Sequence, residues 1–289
     1  MNDGTVNIFI ACFHSQPGRS LNGCSGQYKT VEKAIQGQLW PYDNGDDPSF
    51  FVARNHDGPL TWGVCRPNVR SALAEGDIVV FISYTKMPAR KFAYRFCSVA
   101  TVSAKRDHRY LDEDARVSGK PYINRLIRAI DGREEWLYDE TDRPPGRARH
   151  DDWLWRIAEH PRGVLKQDFK APTDRIRANW RIAGHPLKMA ENYVIFSTEP
   201  TKTYICETPP IVAEALNGAN EDWNCDRVRK VLFEYPGSAA PRNYIRNSNA
   251  YGAAHPHIRW WMPSTTAARW RAELIATAEE HSFDANVPH

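Results

Sequence analysis

The sequence lacks the cysteine patterns that hold a zinc ribbon or a disulfide framework. Its six cysteines, at positions 12, 24, 65, 97, 206 and 225, lie far apart and form no C-x-x-C pair. Both kinds of domain need paired cysteines at short spacings. The pattern therefore favours reduced thiols in a chain whose 289 residues can bury a sizeable core without such staples.

Long apolar runs are missing as well. The N-terminal stretch "VNIFIACF" is too short to span a membrane, and it lacks a basic leader with a cleavage site. We therefore expect a cytoplasmic protein that has no membrane partner. Nothing in the sequence indicates an obligate protein partner.

The sequence also lacks the common motifs of cofactor and nucleophile sites. It contains no P-loop, no dinucleotide-binding glycine motif and no G-x-S-x-G elbow, which argues against a kinase, a dehydrogenase and an α/β-hydrolase. Neither the run from His150 to Asp152 nor the "HPH" at 255 to 257 has a recognised metal-ligand spacing. The sequence therefore predicts neither a metal nor a cofactor.

Arginines interleaved with aromatic residues are the most distinctive feature that is present. The net charge is only +3, but the two residue types mix in "KMPARKFAYRF", "DRIRANWRI", "PRNYIRN" and "HIRWW". Such interleaving suits contact with phosphates together with stacking on bases. Arginine also packs on tryptophan at ordinary protein surfaces. The pattern favours nucleic acid as the partner and leaves the packing alternative open.

Hydrophobic periodicity predicts a mixed α+β protein. "NIFIACF", "SFFVARN", "DIVVFISY" and "KFAYRFCSVATVSAK" are predicted strands, and "NYVIFST" with "KTYIC" is a predicted hairpin. Helices are predicted for "PYINRLIRAI", "TPPIVAEALNG" and "STTAARWRAELIATAEEH". We expect a curved mixed sheet or a small β-barrel with flanking helices.

Two stretches carry a resemblance to known domains. "LAEGDIVVFIS" followed by "YRFCSVATVSAK" resembles the strand pair of PUA-like domains, the superfamily that includes the EVE, YTH and ASCH modules. Gly76 and Asp77 match a turn that begins one strand, and "SVATV" at 98 to 102 matches a small-residue segment of a later strand.

A narrower resemblance is carried by "LTWGVCRPNVRSALAEGDIVVF", which is similar to a signature of the nucleotide-modification-associated domains. Arginine replaces lysine at position 66, and Ile78 stands where that family commonly has tryptophan. The positions that match are Cys65, Pro67, Arg70, Gly76 and Asp77.

The resemblance implies a domain organisation and a class of function. It implies an N-terminal extension at 1–48 packed on the core, a PUA-like core at 49–215, and a C-terminal helical and loop extension at 216–289. The family is associated with modified bases in DNA, often in phage or mobile-element settings. PUA-like folds generally hold a flipped or single-stranded base in a pocket.

A pocket for a flipped base needs aromatic faces and polar groups that read the edge of the base. Trp62, Arg66 and Asn68 precede the strand "DIVVFIS", where a loop would form the rim of such a pocket. The alternative is that Trp62 fills core space and that Cys65 is a small buried apolar residue. The residues predicted to contact nucleic acid are Arg54, Trp62, Arg66, Asn68, Arg70, Lys86, Arg90, Arg242, Asn243, Tyr244 and Arg246.

Cleavage of an N-glycosidic bond is the most economical chemistry for an enzyme of this kind. One carboxylate can stabilise the cationic sugar or activate water. The candidates are Asp57 and, beside His150, Asp151 and Asp152, although Asp152 has an alternative role as a helix cap. Together with what the resemblance implies, these carboxylates lead us to expect a glycosylase-type enzyme that excises a modified base in antiphage defence. A non-catalytic reader of modified bases in DNA or RNA and a base-modifying enzyme remain as alternatives.

Overall fold

A computed structural model describes residues 4–14, 48, 50–55, 58–63, 67–86, 91–117, 127–130, 133–136, 192–216, 221–222, 227–236 and 259–284. The strands are β1 (Thr5–His14), β2 (Thr61–Trp62), β3 (Ile78–Lys86), β4 (Lys91–Arg106), β5 (Ile127–Ile130), β6 (Arg133–Trp136), β7 (Tyr193–Phe196), β8 (Thr203–Ile205), β9 (Ile211–Leu216), β10 (Glu221–Asp222) and β11 (Arg259–Pro263). The helices are α1 (Phe50–Asn55), α2 (Pro67–Ala72), a 3₁₀ helix (His108–Glu113), α3 (Arg227–Glu234) and α4 (Ser264–Asp284). The protein is therefore of the α+β class, as predicted, with an open mixed sheet.

The chain divides into two compact units. Unit 1 consists of Met1–Pro17, Gly76–Thr101 and Glu199–His289, and unit 2 of Gly18–Glu75 and Val102–Thr198. Each of these units is made of separate segments of the chain, whereas the domains expected from the resemblance are continuous in sequence. Those domain boundaries stay a prediction. Among the described helices, none is both long and apolar enough to cross a membrane.

Unit 1 is built on a sheet with the strand order β10-β9-β4-β3-β1-β11, in which β8 also pairs with β4. β1 runs parallel to β3, and the other pairs are antiparallel. One face of the sheet packs against α3 and α4. Trp270 of α4 is buried in this core, where its Nε1 donates a hydrogen bond to the Val231 carbonyl at 2.9 Å. The Trp270 ring lies edge-on to the Trp260 ring of β11, with the ring centroids 6.2 Å apart. We call this face the helix face.

The predicted glycine–aspartate turn begins β3 and anchors β1 beside it. Gly76 has a φ of +89°, which an L-residue rarely adopts. Asp77 follows, and its Oδ1 accepts hydrogen bonds from the Asn7 backbone N at 3.1 Å and from Asn7 Nδ2 at 3.0 Å. The turn therefore fixes the start of the parallel pairing between Ile8 and Ile78.

In unit 2, β7 pairs antiparallel with β2 and with Val102–Arg106 of β4, and β5 pairs with β6. A small core forms within it from Ala104, Leu111, Val117, Tyr193 and Ile195.

Strong periodic patterns predicted their elements correctly, whereas short apolar stretches did not. β1, β3, β4 and α4 confirm the predictions for their segments. "SFFVARN" was predicted as a strand and forms α1, while "TPPIVAEALNG" was predicted as a helix and contributes β9. The end of the predicted helix "PYINRLIRAI" is strand β5. Stretches this short fit either a helix or a strand, so tertiary pairing decides which one forms.

The predicted hairpin of "NYVIFST" and "KTYIC" is wrong in its pairing. Both segments form strands, β7 and β8, but each of them pairs with β4.

Candidate functional site

Many of the residues predicted to act on nucleic acid lie outside the described part of the chain. Their positions stay predictions. They are Asp57, Arg66, Arg90, His150, Asp151, Asp152, Arg242, Asn243, Tyr244 and Arg246.

Other predicted residues fall on described elements. Asn68 lies in α2, Lys86 ends β3, and Arg54 is exposed in the last turn of α1. In "HIRWW", Trp261 is 60% exposed on β11, so one aromatic ring of the arginine-rich stretches faces solvent.

Trp62 and Arg70 lie in the interior of unit 2. Trp62 is 1% exposed and pairs with Val194, and Arg70 is fully buried. One terminal NH group of Arg70 donates a hydrogen bond to the Asn192 carbonyl, just before β7. In this conformation neither side chain is presented to a macromolecule, and the position of Trp62 matches the alternative in which it fills core space.

The segment from Thr61 to Arg70 is anchored near both ends within unit 2. His108 Nε2 lies 3.0 Å from the Gly63 carbonyl, and because that oxygen only accepts, Nε2 carries the hydrogen. The His108 ring lies edge-on to Tyr193 at 5.0 Å. This bond connects Gly63 to the 3₁₀ helix, and the Arg70 contact connects α2 to the residue just before β7.

The second face of the unit 1 sheet carries a row of hydroxyl groups. Ser98 of β4 lies opposite Phe81 of β3 and Ile205 of β8. Ser83 lies opposite Arg95, and Thr203 lies opposite Ala100. Residues that pair across antiparallel strands project from the same face. We call Ser83, Ser98 and Thr203 the hydroxyl row; it crosses β3, β4 and β8 diagonally.

A bulge in β4 places Ser98 in this row. Phe81 pairs with Ser98 while Ile82 pairs with Phe96, so Cys97 is an extra residue in β4. Tyr94 and Phe96 belong to the core on the helix face. Without the extra residue, the alternation of the strand would direct Ser98 to that face too.

The hydroxyl oxygens of the row are enclosed and lack hydrogen bonds. Ser83 and Ser98 are both 0% exposed. Among the residues that the structure describes, the oxygens of Ser83, Ser98 and Thr203 have no hydrogen-bond partner. Each unpaired buried polar group lowers the stability of the folded protein by about 1–3 kcal/mol. Three such groups on one face of a sheet therefore destabilise that face considerably. Such groups in native proteins generally bind water, a ligand or another protein group.

Apolar side chains and one arginine surround the row. By the pairing rule just given, Phe81 and Ile205 lie on the same face as Ser98, and Ala93 and Ala100 of β4 share that face. Arg95 also belongs to the face, and one of its terminal NH groups donates to the Pro209 carbonyl at 3.0 Å. The row is therefore a set of neutral groups that can each donate and accept, with Arg95 on the same face.

Two buried carboxylates of the described chain have structural partners. Asp77 binds Asn7, and Asp114 in unit 2 accepts hydrogen bonds from the side chains of Arg106 and Arg116. The Arg116 guanidinium, with help from Arg106, holds the pKa of the Asp114 carboxyl well below its usual range. A carboxylate so engaged is a poor general base.

The Cys206 thiol is not activated, and the described residues hold no metal cluster. Cys12, Cys97 and Cys206 form no disulfide, and burial raises the pKa of the Cys206 thiol well above its ordinary value. A raised pKa keeps a thiol protonated and unreactive. Within the ranges given above, no three His, Cys, Asp or Glu side chains are grouped to bind a metal ion.

The polar groups that the fold brings together are thus different from those that the sequence singled out. Of the hydroxyl row, Ser98 lies in the small-residue segment "SVATV" and Ser83 ends the stretch "LAEGDIVVFIS", but neither was singled out as a site residue. Comparison of the chain with protein-family models, with curated proteins and with solved structures gave no match.

Proposed function

We propose that the protein binds a modified base flipped out of DNA and cleaves its N-glycosidic bond. The observation that carries the proposal is the hydroxyl row, whose oxygens are enclosed and have no hydrogen-bond partner among the described residues. A flipped base is read by hydrogen bonds to its edge within an enclosed site, and hydroxyl groups supply such bonds. The resemblance to nucleotide-modification-associated domains supports the same function, since Ser98 lies in a segment that carries the PUA-like pattern.

The chemistry in this proposal needs a carboxylate. Cleavage passes through a cationic sugar, which a carboxylate stabilises or which water attacks with its help. Asp77 and Asp114 are committed to Asn7 and to two arginines. The candidates that the sequence offers for this role stay Asp57, Asp151 and Asp152, with His150 beside the last two. The expected substrate is phage DNA that carries modified bases.

The test is product formation on modified DNA. The protein is incubated with several phage genomes that carry hypermodified bases and with unmodified DNA. Abasic sites are then counted, and free bases are identified by mass spectrometry. Abasic sites and a released modified base are expected only with modified DNA.

Substitution of each candidate aspartate identifies the catalytic carboxylate. Asp57→Asn, Asp151→Asn and Asp152→Asn are compared with Glu273→Gln, which neutralises an exposed carboxylate on α4. At least one of the three should abolish release while the control retains it. Intact DNA from every modified genome would contradict the enzymatic proposal.

A non-catalytic reader is the second candidate. It is favoured by the row itself, whose hydroxyl groups can form hydrogen bonds with a base. Modification-dependent affinity without any abasic product over long incubation would establish a reader.

A further inference from the structure

We infer that the hydroxyl row accepts bases whose substituents differ in hydrogen-bonding polarity, and that it rejects apolar substituents of similar size. The inference rests on the proposed function and concerns the substrate class of the same site. It follows from the chemistry of Ser83, Ser98 and Thr203, which are all hydroxyl residues.

A hydroxyl group has no fixed polarity. It donates one hydrogen and accepts through its lone pairs, and it rotates to suit its partner. A guanidinium only donates and a carboxylate only accepts, so either of them enforces one pattern on a ligand. On this face the fixed donor is Arg95, one terminal NH group of which is directed to the Pro209 carbonyl. The row itself therefore imposes no choice between a donor and an acceptor.

The row does impose a choice between polar and apolar ligands. The Ser83 and Ser98 hydroxyls are enclosed, so an apolar group placed against them leaves them unpaired in the complex as well. A polar substituent of either sense removes that cost on binding. Sites that hydrogen-bond a ligand reject analogues that lack the polar atom far more strongly than they reject small changes of size.

The extent of the row favours a base with a substituent over a bare ring edge. Ser83 and Thr203 lie diagonally on opposite sides of Ser98, toward opposite ends of β4. Diagonal neighbours in an antiparallel sheet are about 7–8 Å apart, so the row extends over roughly twice that distance.

The test compares duplexes that each carry a single cytosine modified at carbon 5 with methyl, hydroxymethyl or formyl. Hydroxymethyl donates and accepts, formyl accepts, and methyl does neither. Dissociation constants for hydroxymethyl and formyl should agree within about threefold, while methyl should bind about tenfold or more weakly, the equivalent of one lost hydrogen bond. A hundredfold difference between hydroxymethyl and formyl, or equal binding of methyl, would overturn the inference.

Variants of the row give a second readout that a structural role would not produce. Ser83→Ala and Ser98→Ala each remove an unpaired buried hydroxyl, so each should raise the melting temperature of the free protein while weakening both polar duplexes about tenfold. The matched control is Thr101→Val on the helix face. The Thr101 hydroxyl donates to the Lys202 carbonyl and accepts from Arg271, so this variant should lower the melting temperature and leave relative affinities unchanged.

The outcomes separate the two proposals. If no modified duplex binds more tightly than unmodified DNA, the proposed function fails, and the inference fails with it. If modified duplexes bind but Ser98→Ala lowers the melting temperature and spares affinity, the row has a structural role, and the inference alone is wrong.

Discussion

The contact between Asp77 and Asn7 gives the sharpest test of what holds β1 in the sheet of unit 1. Asp77 is 4% exposed, and its Oδ1 accepts from both the backbone N and the side-chain Nδ2 of Asn7. Hydrogen bonds to a charged group contribute about 1.5–3 kcal/mol each. Because the two bonds share one oxygen, we expect Asp77→Ala to lower the free energy of unfolding by about 3 kcal/mol.

Two milder substitutions separate the contributions of the two hydrogen bonds to the loss of stability expected for Asp77→Ala. Asn7→Ala removes the side-chain donor and keeps the backbone bond, so it should cost about 1.5 kcal/mol. Asp77→Asn keeps a neutral acceptor and should also cost about half as much as the alanine variant. The exposed carboxylate of Glu75, which lies 3.9 Å from Arg106, supplies the control, and Glu75→Ala should change stability by less than about 0.5 kcal/mol.

The assay is urea unfolding followed by tryptophan fluorescence and by circular dichroism, with the double variant completing a thermodynamic cycle. The Asp77→Ala and Asn7→Ala effects should not add, since both remove the same Nδ2–Oδ1 bond. Full additivity would refute the reasoning, as would a cost for Asp77→Ala below about 1 kcal/mol. In either case the aspartate would have a role other than anchoring β1.

Three further expectations concern single residues. Trp270→Phe should lower the free energy of unfolding by about 1–2 kcal/mol, because the Val231 carbonyl loses its donor, as urea denaturation would show. Gly76→Ala should cost about 1–2 kcal/mol by the same assay, purely from its positive φ, since no atom lies within 4 Å of a Cβ built there. For Asp114, Arg116 lowers the folded-state pKa, so the ion pair stabilises the protein above the unfolded-state pKa of about 3.9 and loses its effect as the pH falls toward the folded value. The melting temperature of Asp114→Asn should therefore lie below that of the wild type at pH 7, with the gap narrowing below about pH 4; a constant gap would contradict this assignment.

The sequence predicted correctly those helices and strands whose apolar residues recur with the period of the element and are buried along one face. In α4, Trp270, Leu274 and Ala278 recur at helical spacing, and all three are buried against the sheet. The strand β9 shows the opposite case. Its residues Ile211 and Val212 follow two prolines that suit a helix start, and only their pairing with β4, distant in sequence, makes them a strand.

The candidate site was harder to predict because it depends on register. The alternation of Tyr94 and Phe96 predicts that Ser98 faces the same core, and the bulge at Cys97 reverses that orientation. No local signal in the sequence marks the bulge. Trp62 shows the other difficulty, since a tryptophan in a polar stretch suits a pocket rim or a core equally well, and burial depends on tertiary contacts.

The position of β1 between β3 and β11 has a consequence for how the chain folds during synthesis. β1 leaves the ribosome before β3 and β4, whereas β11 and α4, which complete its edge and its core face, leave it after them. Until then the nascent chain exposes an unpaired strand edge beside apolar side chains, the kind of surface that aggregates or recruits chaperones. A chain released before α4 is made therefore lacks part of the core of unit 1 and keeps that surface exposed.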